Sequence, residues 1–388
     1  MRISRRAFTT LIALILGITS AVAQQSGFNL VVVGDPQPQT EEQITKLESE
    51  LIPQIATIVD EYKATGYPTA ILLTGDVVWD NMAFLPRVKA DFEALGVPVY
   101  AVIGNHDHNR RHQRNQAKAE QNYVDAFGSR NQAFMLGETL FVTLDNIDYT
   151  SKNGYGLEVD LDQLIWLSEV MDKHADVEHV AVCMHAPATD RRTGGFMPYA
   201  KPIVRIVGDR KIDFITGHGH RHFTADHTPD IIEHSVAQVN GNLWYAPICS
   251  DGTPLGVFCI EERDSEWMWH HRILGKGAEE QLIAYPMGRV KEHEEYVVAK
   301  VIGWDKMWRV VWYEDGVAMG EMEQIEILDP DYIYYVENVA DYREKYMRRL
   351  RRSAHKHKHY YRLRRTSADS HITIVATDRF GREFTYEM

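Results

Sequence analysis

Val97-Pro98-Val99-Tyr100-Ala101-Val102-Ile103 is an apolar run of strand length, and Gly104-Asn105-His106-Asp107 follows it with no spacer. The run reads as a buried β-strand. Four turn-prone or titratable residues placed directly after such a strand have little structural use, but they suit metal ligation and proton transfer. The same arrangement recurs along the chain. Leu30-Val31-Val32-Val33 leads into Gly34-Asp35-Pro36-Gln37, and Ala70-Ile71-Leu72-Leu73 into Gly75-Asp76. Val180-Ala181-Val182-Cys183 leads into Met184-His185, and Ile212-Asp213-Phe214-Ile215 into Gly217-His218-Gly219-His220. Between the first two strands, Ile44, Leu47, Leu51, Ile55 and Ile58 recur at three- and four-residue spacing, the stripe of an amphipathic helix over 41–65. Strands alternating with helices indicate an α/β fold with buried strands. In such folds ligands gather at the carboxyl ends of the strands, so the five loops should meet at one rim.

The donor types at that rim suit two divalent cations. Cations held ~3.5–4 Å apart repel each other and need anionic or strongly donating ligands, one of them bridging. Asp76 is the expected bridge, since it stands alone after its strand. Glycines beside the ligands let the backbone turn sharply and approach closely. Without cations, Asp35 and Asp76 would repel each other in the cleft and one would hold its proton more tightly.

The ordered set Asp35-x-Gln37, Gly75-Asp76, Gly104-Asn105-His106-Asp107, His185 and His218-x-His220 resembles the calcineurin-like metallophosphoesterases over residues 29–274. The resemblance implies a two-sheet sandwich flanked by helices, with a two-metal site at the strand ends. It implies one metal held by Asp35, Gln37, Asp76 and His220, and the other by Asp76, Asn105, His185 and His218. His106 would be the catalytic histidine, oriented by Asp107. Gln37 departs from the family pattern, which more often has His there. A Gln carbonyl is a harder and weaker donor than imidazole, so this site should favour Mn²⁺, Mg²⁺ or Ca²⁺ over Zn²⁺. Trp79 stands where purple acid phosphatases carry a ligating Tyr, so a coloured Fe³⁺ centre is not expected. The metal pair is accordingly expected among Mn, Mg, Ca, Zn and Fe, with no single identity implied.

Beyond about residue 285 the pattern changes to short alternating segments separated by Gly and Asp turn signals, such as Glu314-Asp315-Gly316 and Asp378-Arg379-Phe380-Gly381. A length of 388 residues accommodates two domains at about 150 residues each. The expected layout is an export signal at 1–23, a phosphoesterase domain at 24–284 and a β-rich, sandwich-like domain at 285–388. The distal part is similar to the C-terminal domain of an exported bacterial subgroup of the same family. That likeness is carried by Asp251-Gly252-Thr253-Pro254-Leu255-Gly256, by Trp304 with Trp308, and by Asp378-Arg379-Phe380-Gly381.

The N-terminus reads as a targeting segment. Arg2, Arg5 and Arg6 precede a short apolar core, and Ala21-Val22-Ala23 fits a cleavage site. Ser4-Arg5-Arg6-Ala7-Phe8 resembles a twin-arginine signal. A periplasmic or extracellular location is therefore expected. The formal net charge of −13 argues against a polyanion partner such as nucleic acid. Cys183, Cys249 and Cys259 make no disulfide framework, although the last two flank a turn signal and could face each other across a hairpin. Residues 348–365 hold nine Lys/Arg, three His and no acid, either a solvated face or a patch for an anionic envelope ligand. Tyr342, Tyr346 and Leu350 line one helical face and read as packing. His222 reads as exposed or as support for the metal ligands. Arg110, Arg111, Arg191 and Arg192 are candidate phosphoryl holders.

The expected function is an exported phosphoesterase acting on a small phosphate-ester substrate. A hydroxide bridging the metals would attack phosphorus in line, with His106 as general acid for the leaving oxygen. The rivals are a diesterase on nucleotides or glycerophosphodiesters, and an inactive scaffold that binds an envelope ligand. The oligomeric state stays open.

Overall fold

The computed structural model describes residues 26–150, 154–339 and 344–388. The expected export signal at 1–23 and Tyr342 lie outside them, as does the side chain of Tyr346. Among the described residues no helix is long and apolar enough to cross a membrane.

Two sheets form the first domain. One has the order Glu266–Ile273, Gly256–Arg263, Gly27–Val33, Thr69–Leu73, Val99–Ala101, the last three parallel. The other has the order Phe223–Thr228, Ile231–Ser235, Lys211–Thr216, His179–Cys183, Thr139–Thr143, Gln132–Leu136, with the middle four parallel. Successive side chains of a strand point to opposite faces. Phe28, Leu30 and Val32 therefore face Phe141, Ala181, Cys183 and Ile215 of the other sheet. Val31 and Val33 point the other way, onto Ile44, Leu47, Leu51, Ile55 and Ile58 of the predicted helical stripe. Because both faces are covered, these strands read as unbroken apolar runs rather than alternating ones. Full burial of each aliphatic side chain contributes roughly 1.5–3 kcal/mol.

The stripe is realised as the helix Glu41–Lys46, a π-turn at Leu47–Leu51 and the helix Ile52–Ala64. Thr40 caps it, its hydroxyl accepting from the Gln43 amide. Pro53 sits in the first turn of the last piece, where a missing N–H does least harm.

The second domain is a sandwich of two four-stranded antiparallel sheets. Their orders are Leu282–Tyr285, Val297–Val301, His357–Leu363, Glu323–Ile327 and Val317–Glu321, Arg309–Glu314, Ile372–Thr377, Glu383–Glu387. The boundary expected at 284/285 falls inside a strand of this sandwich. Leu282 and Ala284 pack in its core, so it begins a few residues ahead of the change in pattern near residue 285. The cysteines form no disulfide framework, as expected, and the alternative of two facing across a hairpin is not realised. Cys249 lies in a loop with its thiol donating to Gln238 O, Cys259 is in a central strand, and both are free and buried.

The domains meet through Arg379, which pairs with Asp226 and Asp305 at 3.0 and 2.6 Å, and through Phe380 packed edge-on against Trp269. The basic stretch 348–365 is not one patch. Its first part is the helix Glu344–Ser353, and its second is a strand in which Arg362 is paired with Glu323. Arg364 is paired with Glu295.

Candidate metal centre

All five expected loops come to the same end of the two sheets. Asp35, Gln37, Asp76, His218 and His220 each adopt a positive φ, between 41° and 62°. Non-glycine residues in that region are uncommon, and such strain gathers at functional sites. The glycines explain how the loops come so close. A side chain on Gly104 would strike the amide and carboxylate of Asp76, and one on Gly217 would come within 2.7 Å of Asp35 Oδ2.

Two donor groups result. Asp76, His185 and His218 offer ligand atoms all within 4.8 Å of one another, and so do Asp35, Asp76 and His220. Asp76 belongs to both. His185 shows how the first group is built. Its Nδ1–H donates to Thr74 O at 2.8 Å, which leaves the Nε2 lone pair facing inward. Around Nε2 stand His218 Nδ1 at 3.1 Å, Asn105 Oδ1 at 3.2 Å and Asp76 Oδ1 at 3.3 Å. Acceptor atoms converging on a buried point are a poor hydrogen-bond network and a good cation site. Carboxylate, imidazole and amide oxygen together suit a divalent metal, so the residues fit the expected pair.

The electrostatics reflect how closely these groups are packed. Burial, reinforced by Asp76, raises the Asp35 carboxyl well above its usual range, although His185 opposes this. Burial would raise Asp76 too, but His185 outweighs it and holds that carboxylate low. Burial works against a charge on His185, yet Asp76 and Asp35 push it up to about 10. His218 and His220 are pushed down to about 4 and about 3, chiefly by burial, so both offer neutral rings.

Gln37 lies in the cluster but is turned. Its amide nitrogen donates to Asp76 Oδ2, and its carbonyl oxygen accepts from Gln238 Nε2 at 2.8 Å. The orientation is set further out, because Gln238 Oε1 accepts from the Leu243 amide. The expected carbonyl ligand therefore faces away from the donor group in this arrangement.

Asp107 is corrected more firmly. It does not orient His106. Its carboxylate accepts from the amides of Val78 at 3.0 Å and Gly104 at 2.8 Å, pinning the second and third ligand loops together. Burial and Asp76 push its pKa up to about 7. The partner of His106 is Asp80, whose Oδ1 lies 2.9 Å from His106 Nδ1. Trp79 stacks on the His106 ring at 4.2 Å. Arg110 joins this group, its Nε 3.0 Å from Asp80.

Several supports carry no motif. Asn240 donates to Asp35 O and Pro36 O at 3.1 and 2.6 Å, and Trp244 Nε1 to Pro36 O at 2.9 Å, fixing the first loop from across the fold. Asp80 was within reach of sequence reading, four residues past Asp76 in the same loop. Arg191 lies over Phe223 and lines a cavity of about 410 Å³ at the domain junction, while Arg192 pairs with Asp190. His222 lines the same cavity; both its ring nitrogens are buried, so the exposed reading is corrected. His108, Glu120 and Asp145 form a third donor group among the described residues. Arg130 already meets its charge, 3.2 Å from Glu120 and 3.6 Å from Asp145.

Comparison with known proteins agrees with this geometry. Residues 28–222 match the family model for calcineurin-like phosphoesterases, and residues 233–384 match the model for the C terminal of calcineurin-like phosphoesterase. No curated protein sequence matches. Among solved structures, the chain is similar to a dimetal phosphatase from Danio rerio at 13% identity, covering 64% of this chain and 97% of that one with a TM-score of 0.45. It is similar to a purple acid phosphatase from yellow lupin, Lupinus luteus, at 13% identity, with 66% and 52% covered and a TM-score of 0.47. A calcineurin-like phosphoesterase from Bacillus subtilis aligns at 10% identity, with 64% and 91% covered and a TM-score of 0.39. On the family match and the ligand set together, the chain belongs to the calcineurin-like phosphoesterases, metal-dependent hydrolases of phosphate esters, and carries that family's C-terminal domain.

Proposed function

We propose that the chain is an exported two-metal phosphoesterase that hydrolyses a small phosphate ester. The observation that carries this reading is the place of Asp76 in both donor groups, the position of a bridging carboxylate. One cation is assigned to Asp35, Asp76 and His220, with Gln37 completing the set once its amide turns over. The other is assigned to Asp76, Asn105, His185 and His218. Bound there, two divalent cations would supply charge neutralisation for the phosphoryl oxygens and an activated water at neutral pH.

The chain's own residues do the rest. Asp107 holds two ligand loops in register. Asp80 accepts from His106 Nδ1, and Trp79 fixes the ring plane, so His106 Nε2 is left to give a proton to the leaving oxygen. Burial of the ligands excludes water from all but the reacting face and strengthens each charge interaction. Export is assigned to the N-terminal Arg-rich and apolar segment, tested by N-terminal sequencing of the protein from fractionated cells.

The deciding experiment strips metals with a chelator and restores Mn²⁺, Mg²⁺, Ca²⁺ or Zn²⁺ singly. Turnover of phosphomonoesters and phosphodiesters is then measured side by side. Metal-restored hydrolysis of one ester class is expected. Full activity after chelation would overturn the reading.

A further inference from the structure

We propose that the helix Glu344–Ser353 of the C-terminal domain forms the leaving-group wall of the metal centre. In this assignment the substrate carries a second anionic group, phosphate or carboxylate, held by Arg349 with Arg348 and Arg352. The proposal rests on the phosphoesterase reading above and extends it to a substrate class.

Three observations meet at Arg349. Its guanidinium lies 4.8 Å over the Trp79 ring. Trp79 in turn stacks on His106 at 4.2 Å. Trp79 therefore touches both the proton donor and an arginine from the other domain. Second, a cavity of about 270 Å³ is lined in part by this arrangement. Gln37 of the metal cluster, Trp79 and Arg349 all line it, with Gln39, Gln43 and Trp244. Arg349 is the only charged side chain in that lining. Third, an adjoining cavity of about 430 Å³ is lined by Arg348, Arg349, Arg352 and Ser353, with no acid among the described residues.

The charge arrangement calls for a counter-anion. The protein has a net charge of −13, yet none of these three guanidinium groups has a carboxylate partner among the described residues. Arg348 and Arg352 are four residues apart and Arg349 and Arg352 three, spacings at which like charges repel on a helix. The helix dipole favours cations in the last turn. It does not explain why one of them covers the indole beside His106. Leu243 and Trp244 line the same cavity as Arg349. Leu243 and Trp244 both adopt positive φ, at 56° and 63°, which is rare for bulky side chains. Trp244 is tied to Pro36 O at 2.9 Å. Guanidinium forks bind phosphate and carboxylate bidentately, so a leaving group ending in either would be gripped while the scissile phosphate sits at the cluster.

The test uses alkyl monophosphates of equal length whose far ends carry hydroxyl, carboxylate or phosphate. With the metal-loaded full chain, kcat/KM should be about tenfold or more higher for the two anionic ends, mainly through KM, as expected for one charge-assisted hydrogen bond. Comparison of the two anionic ends tells phosphate from carboxylate. Arg349→Ala should bring the anionic-to-hydroxyl ratio toward one, and Arg349→Lys should retain part of it. Calorimetric binding of the matching non-hydrolysable phosphonates should show the same order. If wild type hydrolyses the hydroxyl ester but shows no anionic preference, the inference is overturned and the phosphoesterase reading stands. If nothing is hydrolysed with any metal, that reading fails, and phosphonate binding still decides this one. A preference that survives in folded Arg349→Ala, Arg348→Ala and Arg352→Ala variants, checked by melting, also overturns it.

Discussion

His106 Nδ1 stands 2.9 Å from Asp80 Oδ1, and the same carboxylate oxygen is met by Arg110 Nε at 3.0 Å. A carboxylate on one ring nitrogen selects the tautomer and leaves the other nitrogen for chemistry. Trp79 stacks on the ring, and Arg110 also reaches His106 Nδ1, at 3.3 Å, so the ring is held by its face and by one edge.

His106→Ala should lose roughly 10²–10⁴-fold in kcat/KM on alkyl phosphates, the usual span for general acid catalysis, and much less on nitrophenyl esters, which leave without a proton. Asp80→Asn should lose about tenfold on the alkyl esters, and the double variant should be no worse than His106→Ala, because both act through one group. Equal losses across leaving groups of graded pKa would remove His106 from the proton-donor role.

Asp76→Asn should release at least one metal and abolish turnover. Removing the negative charge at the shared position would leave two bound cations with only a neutral amide to offset their repulsion there. Elemental analysis of the purified variant checks it. Two retained metals with an unchanged rate would end the bridging assignment.

The α/β domain and its ligand set were legible because buried parallel strands read as unbroken apolar runs, and Asp35, Asp76, Asn105, His185 and His218 each follow one directly. What escaped was the orientation of side chains. Adjacency suggested Asp107 as the partner of His106, but the turn sends its carboxylate back to the amides of Val78 and Gly104. Asp80, 26 residues away in sequence, faces the ring instead. Gln238 and Asn240 follow the strand Ile231–Ser235 with no motif, so their grip on Gln37 and on the Asp35 loop could be seen only once the sheets were stacked. The basic stretch looked uniform in sequence. The fold splits it between a helix at the metal centre and a strand whose Arg362 is ion-paired.

Asp213 gives a stability prediction with a definite sign. Its buried carboxylate is paired with His179 Nε2 at 2.6 Å and His234 Nε2 at 2.8 Å. Burial alone would raise its pKa, but the two imidazoles outweigh burial and hold it well below the usual carboxylate range. A depressed folded-state pKa contributes stability above the unfolded value of about 3.9, and that stability is lost as pH falls through the folded value. Asp213→Asn should cost about 1–3 kcal/mol at pH 7, as expected for an impaired buried hydrogen-bond pair. The melting-temperature gap from wild type should close as pH drops below about 4. A gap that stays constant down to pH 3 would show that the pair does not carry this charge.

Gln37 offers the most direct handle on metal preference. Its carbonyl oxygen accepts from Gln238, and Gln238 is in turn fixed by the Leu243 amide, so presenting that oxygen to a cation means giving up a buried hydrogen bond worth about 1 kcal/mol. An imidazole at position 37 carries a lone pair with no such commitment and is a softer donor. Gln37→His should therefore tighten the site built on Asp35, Asp76 and His220 by about tenfold or more and shift its preference toward Zn²⁺. Gln238→Ala attacks the same link from the other end. It frees the Gln37 carbonyl and should tighten the site by a smaller factor without changing which metal is preferred. Competitive metal titrations of the three proteins, read by metal content rather than by rate, separate these effects. If affinity order and strength are the same in all three, Gln37 does not touch the metal in any orientation, and the first cation is held by Asp35, Asp76 and His220 alone.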